Sequence, residues 1–447
     1  MRQKLKNDNL LNFHKWKKLS SYNKIKVRSY YQKFIKNYLS LNKKFKFNNE
    51  FSKNYVLSQI NELDNKKKSL KYLPIGVKDN INTKYLSTNY GLKSKKNFKV
   101  GNNANVVDKI LENGGIIFSK TTCAEFAVHY INSKLNINPH DKRHIAGTSS
   151  SGSAIAVSCG ALPIALGTQT AGSIIRPASF CGVYGFKPTF GSIDRTGILK
   201  NNDLFDTVGL LSSEIEFINQ SFITVLNYSQ DYPWTKKYFL KRKKLSDKKI
   251  RIGLINNTMQ IYNSRTEKVH KFYNLSSEII RNKFNTFFIN GEKFNNFHSL
   301  HDIIYSKSLS YYIKNYSKKK INISKNLSEI IRKGEKINRK KYNEAIKKIE
   351  NIKKNIFSEI DKFDYIIIPS TFSQAPKKNI KELDDTCLIW TTLGLPCINI
   401  PFFFNNEKLP FGLLVVSKKF NDLSLLKFSK KIRTILKNYF KFNGLIL

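Results

Sequence analysis

Short apolar runs alternate with segments of helical periodicity through the middle of this chain, and that alternation limits the fold more than any other feature. Leu73–Val77, Ile116–Phe118 and Ile164–Leu166 have the length and apolar content of buried strands. Asn105–Asn113 repeats its apolar residues at helical spacing and ends at a glycine pair, and Ser151–Cys159 is typical of a helix of small residues. This strand–helix rhythm predicts an α/β fold.

The C-terminal half continues the same pattern. Four further strands are predicted, at Ile250–Ile255, Tyr365–Ile368, Ile398–Pro401 and Leu413–Val416. The lysine-rich stretch 325–362 is predicted to form two helices, and Thr122 with Glu125 has the spacing of a helix start. Because strands occur towards both ends of the chain, we expect one large α/β/α domain at 55–447, with a central mixed twisted sheet covered by helices. Residues 1–54 are expected to form a basic helical N-terminal segment.

The chain is strongly basic, with 78 Lys and Arg residues against 32 Asp and Glu residues and a formal net charge of +46. Such a charge is typical of proteins that bind nucleic acid or an anionic surface. The lysines are spread along the chain, however, and they accompany heavy use of Asn, Ile, Phe and Tyr, as an AT-rich genome would produce. The tightest basic runs, Lys241–Lys244 and Lys318–Lys320, are typical of solvated helix ends or loops. We therefore expect no specific nucleic-acid partner.

The five cysteines form no CxxC pair and their number is odd, which favours reduced core thiols in a cytoplasmic protein. The N-terminus has no apolar segment typical of a secretory signal, although its positive charge leaves an organellar transit peptide open. The most apolar stretch, Ala154–Leu166, is interrupted by polar residues and a proline, so no membrane span is expected.

Three segments carry residues that suit acyl-transfer chemistry: Gly76–Asn80, Gly147–Ser153 and Gly167–Ser173. Lys78 ends an apolar strand, where burial would disfavour its ammonium form and lower its pKa towards neutrality. A neutral lysine can take a proton from a serine, which needs such a base to become a nucleophile. The small residues before Ser173 allow a tight turn whose backbone N–H groups could hold an oxyanion.

Other interpretations of these segments are weaker. A glycine-rich turn can bind phosphate, but neither the Walker spacing nor G-x-G-x-x-G is present, and the G-x-S-x-G elbow is also absent. Cys181 has no histidine in a recognisable partner motif. His140 and His144 are expected in a loop, and His298 and His301 have no carboxylate partner motif, so no metal site is expected. No cofactor is expected either.

Taken together, the segments resemble the amidase signature family. That family has a segment of the form G-G-S-S-[GS]-G-S, a second serine 24 residues after its first serine, and then a proline and F-C-G-x-x-G-x-K-P. Here Ser149 and Ser173 have this separation, and Pro177 and Phe180–Pro188 follow. The G-[IV]-K-D element of the family matches Gly76–Asp79. The resemblance runs from about residue 55 to the C-terminus.

The resemblance implies a role for each matching residue. Ser173 would be the nucleophile, Ser149 the bridging serine preceded by a cis peptide bond, and Lys78 the base. The backbone N–H groups of four residues would form the oxyanion hole: Thr170, Ala171, Gly172 and Ser173. A proton relay through these groups requires the Lys78 amine to lie near the Ser149 hydroxyl, and that hydroxyl to lie near Ser173.

The sequence departs from the family pattern at three positions. Thr148 replaces a common glycine before the bridging serine, Ala171 replaces a common glycine in the oxyanion segment, and Gln169 replaces a common aspartate. Alanine keeps its N–H group, so the oxyanion hole is expected to remain. Arg176 is expected to anchor the loop rather than to contact substrate.

The relatives divide into free-standing amidases and the glutaminase component, or A subunit, of glutamyl-tRNA(Gln) amidotransferase. That component resembles D-T-G-G-S-I-R-Q-P at the nucleophile and D-Q-I-G-P downstream, whereas this chain places its arginine one position later and lacks that glutamine. These departures favour a free-standing amidase. Two alternatives remain. One is the glutaminase component of a glutamyl-tRNA(Gln)/aspartyl-tRNA(Asn) amidotransferase, and the other is a non-catalytic binding relative.

A small-molecule amide is the expected substrate, and its pocket is expected within 80–100, 195–205 and 370–392, where the sequence shows no charged signature. The sequence is compatible with a homo-oligomer. Amidotransferase partner subunits are expected only if the chain is the glutaminase component of such an assembly.

Overall fold

The computed structural model describes residues 10–64, 66–92, 100–128, 136–226, 250–256, 265–294, 297–317 and 322–445. Its central feature is one mixed sheet of 11 strands in the order β1-β3-β2-β4-β6-β5-β10-β11-β9-β7-β8. The strands are β1 Asn48–Glu50, β2 Pro74–Lys78, β3 Ile116–Thr121, β4 Ile164–Gln169, β5 Tyr184–Lys187, β6 Thr207–Ser212, β7 Arg251–Asn256, β8 Asn285–Asn290, β9 Tyr365–Pro369, β10 Cys397–Phe402 and β11 Phe411–Ser417. The predicted single mixed sheet is confirmed.

Thirteen α-helices lie within the described residues. They are α1 Phe13–Leu19, α2 Lys24–Phe45, α3 Lys53–Glu62, α4 Asn105–Glu112, α5 Ser151–Ser158, α6 Ile175–Cys181, α7 Ile215–Val225, α8 Glu267–Arg281, α9 Phe297–Ser317, α10 Lys325–Lys336, α11 Arg339–Ile360, α12 Leu388–Thr392 and α13 Asp422–Phe442. The two helices predicted at 325–362 are therefore present as α10 and α11. None of the helices in the described ranges is long and apolar enough to cross a membrane.

Strand direction positions the residues of interest. β2 runs parallel to both β3 and β4, and Val77 pairs with Leu166 across the β2–β4 ladder. The carboxyl ends of parallel strands meet at one edge of a sheet, so Lys78 at the end of β2 comes beside the last residues of β4. The segment that carries Ser173 continues directly from that end of β4.

Helix α5 explains why the second glycine- and serine-rich segment folds as it does. Its residues from Ser151 to Val157 are all buried, and it packs between the sheet and neighbouring helices. Small side chains let a helix approach a sheet closely. At Gly152 a Cβ atom would lie 2.4 Å from the backbone nitrogen of Thr122, so a larger residue would displace the helix.

The N-terminal part of the chain contains α1 and α2, and it packs against the rest of the chain. The indole nitrogen of Trp16 donates to the Lys71 carbonyl at 3.0 Å, and the Tyr31 hydroxyl donates to the Tyr72 carbonyl at 2.8 Å. β1 adds an antiparallel edge strand to β3. The division at residue 54 stays a prediction.

One local prediction is wrong. The helix expected to start at Thr122 is a single 3-10 turn at Glu125–Ala127. The Thr122 hydroxyl donates to the Phe47 carbonyl at 3.2 Å and contacts the Asn136 side chain, so a tertiary contact replaces the predicted helix cap. The basic runs Lys241–Lys244 and Lys318–Lys320 lie outside the described residues.

Candidate active site

Lys78 is buried at the carboxyl end of β2, with no exposed surface. Its amine lies 2.7 Å from the Ser149 hydroxyl, 2.8 Å from the Thr168 hydroxyl and 3.2 Å from the Thr168 carbonyl oxygen. Burial lowers the pKa of Lys78 to about 7, and the charges of Cys123 and Asp206 oppose part of that shift. The predicted contact between Lys78 and Ser149 is present.

The partners of this amine fix where its lone pair points. A neutral amine has two N–H donors and one lone pair, and a carbonyl oxygen can only accept a hydrogen bond. If the hydroxyl and the carbonyl of Thr168 accept the two N–H groups, the lone pair faces the hydroxyl of Ser149. Thr168 was not singled out from the sequence, because a threonine near the end of a strand is an ordinary strand residue.

Ser149 lies in the turn before α5, and the Thr148–Ser149 peptide bond is cis, as expected. Gly147 before it has φ +78°, and a Cβ atom there would lie 2.9 Å from the Cα atom of Pro177. This position therefore requires glycine both for its left-handed backbone and for the close approach of α6, which contains Pro177.

Ser173 follows the end of β4 and precedes α6, and only 6% of its surface is exposed. The backbone nitrogen of Ser150 donates to the Ser173 carbonyl at 3.2 Å, which joins the two serine segments side by side. The approach of the Ser149 hydroxyl to the Ser173 hydroxyl stays a prediction.

The carbonyl groups of the predicted oxyanion segment are held by side chains from distant parts of the chain. The imidazole Nε2 of His301 lies 3.0 Å from the Thr170 carbonyl, and the Thr391 hydroxyl donates to the Ala171 carbonyl at 2.8 Å. A carbonyl oxygen can only accept a hydrogen bond, so the contact between His301 and the Thr170 carbonyl assigns the ring proton of His301 to Nε2. In a trans peptide unit the N–H group points away from the carbonyl oxygen. The N–H groups of Ala171 and Gly172 therefore point away from His301 and Thr391.

His301 is suited to this structural contact by its surroundings. Its ring stacks on Phe205 with ring centroids 4.7 Å apart and on Tyr305 with centroids 5.7 Å apart. Burial lowers its pKa to about 4, so the ring is neutral at physiological pH. No sequence motif marks His301 for this contact, since it meets residue 170 only when α9 packs on the site.

Gln169, which stands where the resemblance expects a common aspartate, forms hydrogen bonds through both ends of its amide group. Its carbonyl oxygen accepts the backbone N–H groups of Ile174 at 2.7 Å and Ile175 at 3.0 Å, and its amide nitrogen donates to the Thr391 hydroxyl at 2.8 Å. The side chain thereby holds the turn around Ser173 and the Thr391 hydroxyl in one arrangement. A glutamine in place of the common aspartate is therefore a neutral side chain that still supplies an acceptor oxygen.

Arg176 anchors the loop, in agreement with expectation. Its guanidinium contacts Asp385 at 2.7 Å and Glu382 at 2.8 Å, and it donates to the Thr148 carbonyl at 2.8 Å. The side chain is 2% exposed, so these contacts compensate a buried charge. Burial raises the pKa of Glu382 to about 7, although the nearby guanidinium opposes that shift. A Cβ atom at Gly172 would lie 2.2 Å from Oδ1 of Asp385.

The other candidates named from the sequence have structural partners. His140 lies 2.8 Å from the Cys181 carbonyl, and His144 lies 3.3 Å from Asp141. Burial raises the pKa of the Cys181 thiol, which disfavours its reactive thiolate form. No group of three metal-ligating side chains occurs within the part of the chain that the structure describes.

A cleft borders the site beside Thr168 and Thr170, and the segments 195–201 and 206–208 supply most of its remaining lining. It therefore includes part of the range 195–205 in which a pocket was expected. Arg195 and Lys200 also line the cleft, and they lie 3.0 and 3.8 Å from the Asp203 carboxylate. Isolated basic residues in a lysine-rich sequence do not reveal which of them border a cleft.

Comparison with known proteins gives one consistent result. The sequence model of the family described as Amidase matches residues 30–426. The chain is 28% identical to the A subunit of the mitochondrial glutamyl-tRNA(Gln) amidotransferase from Schizosaccharomyces pombe, covering 81% of this chain and 88% of that one. It is 27% identical to the A subunit of the Archaeoglobus fulgidus glutamyl-tRNA(Gln) amidotransferase, covering 80% and 85%. The native peptide amidase of Stenotrophomonas maltophilia shares the fold, with a TM-score of 0.74 at 19% identity over 90% of this chain and 93% of that one.

Proposed function

This chain belongs to the amidase family, and from that membership we propose that it hydrolyses a carbon–nitrogen amide bond through an acyl-enzyme formed on Ser173. The observation that carries the proposal is the buried amine of Lys78, which lies 2.7 Å from the Ser149 hydroxyl. A small-molecule amide is the proposed substrate.

Lys78 has the properties of a general base. With a pKa of about 7, a large fraction of its side chain is neutral at physiological pH. Its contacts are two hydroxyls and a carbonyl, which hold an amine in place without stabilising its charge as strongly as a carboxylate would. A base is most effective when its pKa lies near the working pH.

The proposed reaction begins with proton transfer along the relay. Lys78 takes the hydroxyl proton of Ser149, and Ser149 takes the hydroxyl proton of Ser173 as the oxygen of Ser173 attacks the amide carbonyl. Negative charge then develops on the carbonyl oxygen of the substrate. The N–H groups of Ala171 and Gly172, whose orientation is fixed from the opposite side by His301 and Thr391, would donate to that oxygen.

Collapse of the tetrahedral intermediate breaks the carbon–nitrogen bond. The proton held by Lys78 returns through Ser149 to the departing nitrogen, which leaves as a neutral amine or ammonia. Water then attacks the acyl-enzyme, with the same relay accepting its proton, and the acid product is released from Ser173.

Covalent labelling tests the nucleophile. A fluorophosphonate probe should label the wild-type protein, and Ser173→Ala should remove the label and reduce turnover by at least about a thousandfold, as loss of a catalytic nucleophile does. Ser179→Ala is the matched control, since Ser179 is a buried serine in α6 whose hydroxyl contacts the Thr371 hydroxyl at 3.0 Å. Undiminished labelling of the Ser173 variant would contradict the assignment, and no labelling of the wild-type protein would favour a non-catalytic relative.

A second candidate function is that of the glutaminase component of a tRNA-dependent amidotransferase. The names of the curated relatives favour it, because those that match over most of this chain are A subunits of glutamyl-tRNA(Gln) amidotransferases. The displaced arginine, Arg176, and the missing glutamine beside it favour a free-standing amidase. Turnover of a simple amide by the isolated chain supports the first function. Glutamine hydrolysis that depends on added partner subunits, ATP and tRNA supports the second.

A further inference from the structure

A short chain of hydrogen bonds that starts at Gln169 holds one side of the proposed oxyanion segment. The amide nitrogen of Gln169 donates to the Thr391 hydroxyl at 2.8 Å, and that hydroxyl lies 2.8 Å from the Ala171 carbonyl oxygen. Gln169 and Thr391 have no exposed surface, so water does not compete for these contacts. The chain of bonds therefore has one direction, which the donors and acceptors along it determine.

The direction begins with the orientation of the Gln169 amide. Its side-chain oxygen accepts the backbone N–H groups of Ile174 at 2.7 Å and Ile175 at 3.0 Å. Exchanging the amide oxygen and nitrogen would set a donor against two donors, so the oxygen must face these N–H groups. The amide nitrogen is consequently the atom that faces Thr391, and it can only donate.

Because the Thr391 hydroxyl accepts from Gln169, its own single proton is left for a carbonyl oxygen. Two carbonyls are within reach: that of Ala171 at 2.8 Å, and that of Cys387, which precedes α12, at 3.1 Å. The Ala171 carbonyl is the nearer of the two. The Cys387 thiol, a weak donor, lies 3.8 Å from the same Ala171 carbonyl. The Thr391 hydroxyl is thus the main donor to that carbonyl among the described residues.

The Ala171 carbonyl belongs to the same peptide unit as the N–H group of Gly172. That unit is planar, so a donor that fixes the carbonyl also fixes the N–H group on the opposite side. Within the described part of the chain, the backbone N–H groups of Ala171, Gly172 and Ser173 donate to no other group. They remain able to bind the oxygen of a substrate carbonyl, and Thr391 determines where one of them points.

We propose that Gln169 and Thr391 are positioning residues that hold the Gly172 N–H group towards the developing oxyanion, and that this arrangement requires an amide rather than a carboxylate at position 169. This role rests on the proposed amidase function. A carboxylate has no proton to donate, so it would accept the Thr391 proton and withdraw it from the Ala171 carbonyl. The glutamine at position 169, where the resemblance expects aspartate, is thus matched to Thr391.

Fluorophosphonate labelling tests this role, because its kinetics separate reversible binding of the probe from bond formation on Ser173. In the bond-forming step the phosphonyl oxygen takes the place of the oxyanion, so a misdirected Gly172 N–H group should slow that step. Thr391→Val should lower the maximal labelling rate constant by about tenfold and leave the half-saturating probe concentration almost unchanged. Thr391→Ser, which restores the hydroxyl, should recover most of that loss.

Gln169→Glu tests the direction of the bonds without changing the shape of the side chain. It should lower the maximal rate as Thr391→Val does, since the carboxylate takes the Thr391 proton. Each rate is taken on the plateau of its own pH profile, because a new carboxylate in this region would also raise the pKa of Lys78. Combining the two substitutions should add less than about twofold to either loss, because both break the same contact.

Thr392→Val is the matched control, since the hydroxyl of this neighbouring buried threonine donates to the Leu388 carbonyl of its own helix at 2.9 Å. It should label at the wild-type rate. An undiminished rate in folded Thr391→Val or Gln169→Glu, or losses that multiply in the double variant, would overturn the proposal. Gln169→Glu alone decides the question if Thr391→Val does not fold. A wild-type protein that the probe does not label would instead contradict the amidase function.

Discussion

Lys78 and Lys120 lie on the neighbouring strands β2 and β3, and both are fully buried, but their amines have different surroundings. The amine of Lys120 donates to the Ile81 carbonyl and, at 2.9 Å, to the Thr88 hydroxyl. Burial lowers its pKa to about 8, while the charge of Asp79 opposes the shift. Burial lowers the pKa of Lys78 to about 7.

The difference between the two lysines separates the requirements for a buried base. Burial alone makes an amine easier to deprotonate, and both lysines satisfy that condition. Only Lys78 also contacts a serine hydroxyl, at 2.7 Å, and that serine belongs to the segment joined to Ser173. Lys120 lies near the carboxylate of Asp79, whose own oxygens accept backbone N–H groups of Asn89 and Gly91. We infer that Lys120 is structural.

Replacing each lysine by methionine is the most severe test of this comparison. Lys78→Met should lower kcat by at least about a thousandfold, because it removes the base of the relay. Lys120→Met should keep turnover within about tenfold in protein that folds, and should mainly lower the thermal unfolding temperature by leaving Asp79 as a buried charge. Steady-state kinetics and thermal unfolding measure the two effects. Equal losses of kcat in equally folded variants would end the distinction between the two lysines.

The pH dependence of the rate provides a test without substitution. The neutral form of Lys78 is the active form, so kcat/KM should fall about tenfold for each pH unit below its pKa of about 7 and level off above it. This acidic limb should persist in Lys120→Met if only Lys78 controls it. A rate that is flat between pH 5 and 9, measured with a substrate that does not titrate, would remove a titrating base from the mechanism.

The hydroxyl groups that hold the two amines allow a finer test. Thr168→Val removes a hydroxyl 2.8 Å from Lys78 and should lower kcat by about tenfold, because the lone pair of the amine is no longer held towards Ser149. Thr88→Val removes the hydroxyl 2.9 Å from Lys120 and should leave kcat almost unchanged. If the acidic limb of the pH profile shifts in Thr168→Val but not in Thr88→Val, the Thr168 hydroxyl acts on the pKa of Lys78 and not only on stability.

Local pattern was sufficient to predict the parts of the molecule that are continuous in sequence. The predicted run Leu73–Val77 and the lysine after it match β2, and the predicted helix Ser151–Cys159 matches α5, because burial and periodicity specify both. The family resemblance was needed to choose Lys78. If burial and strand position were the only criteria, Lys120 would be an equally good candidate for the base.

The contacts that orient the site could not be predicted in the same way. His301, Glu382 and Asp385 lie far along the chain from Ser173, and a sequence pattern does not show which distant helix packs on a given loop. The incorrect helix start at Thr122 has the same cause, since its hydroxyl is engaged by the carbonyl of Phe47. Tertiary contacts therefore determined both the orienting side chains and the failure of a local rule.

The approach of Asp385 to Gly172 also constrains how this site can evolve. A side chain at position 172 requires the Asp385 carboxylate to move, because a Cβ atom would lie 2.2 Å from its oxygen. Removing that carboxylate first would take a partner from the buried guanidinium of Arg176. Substitutions at positions 172, 176 and 385 are therefore mutually dependent, and their order matters: a side chain at position 172 is tolerated more readily in a lineage in which Asp385 has already changed.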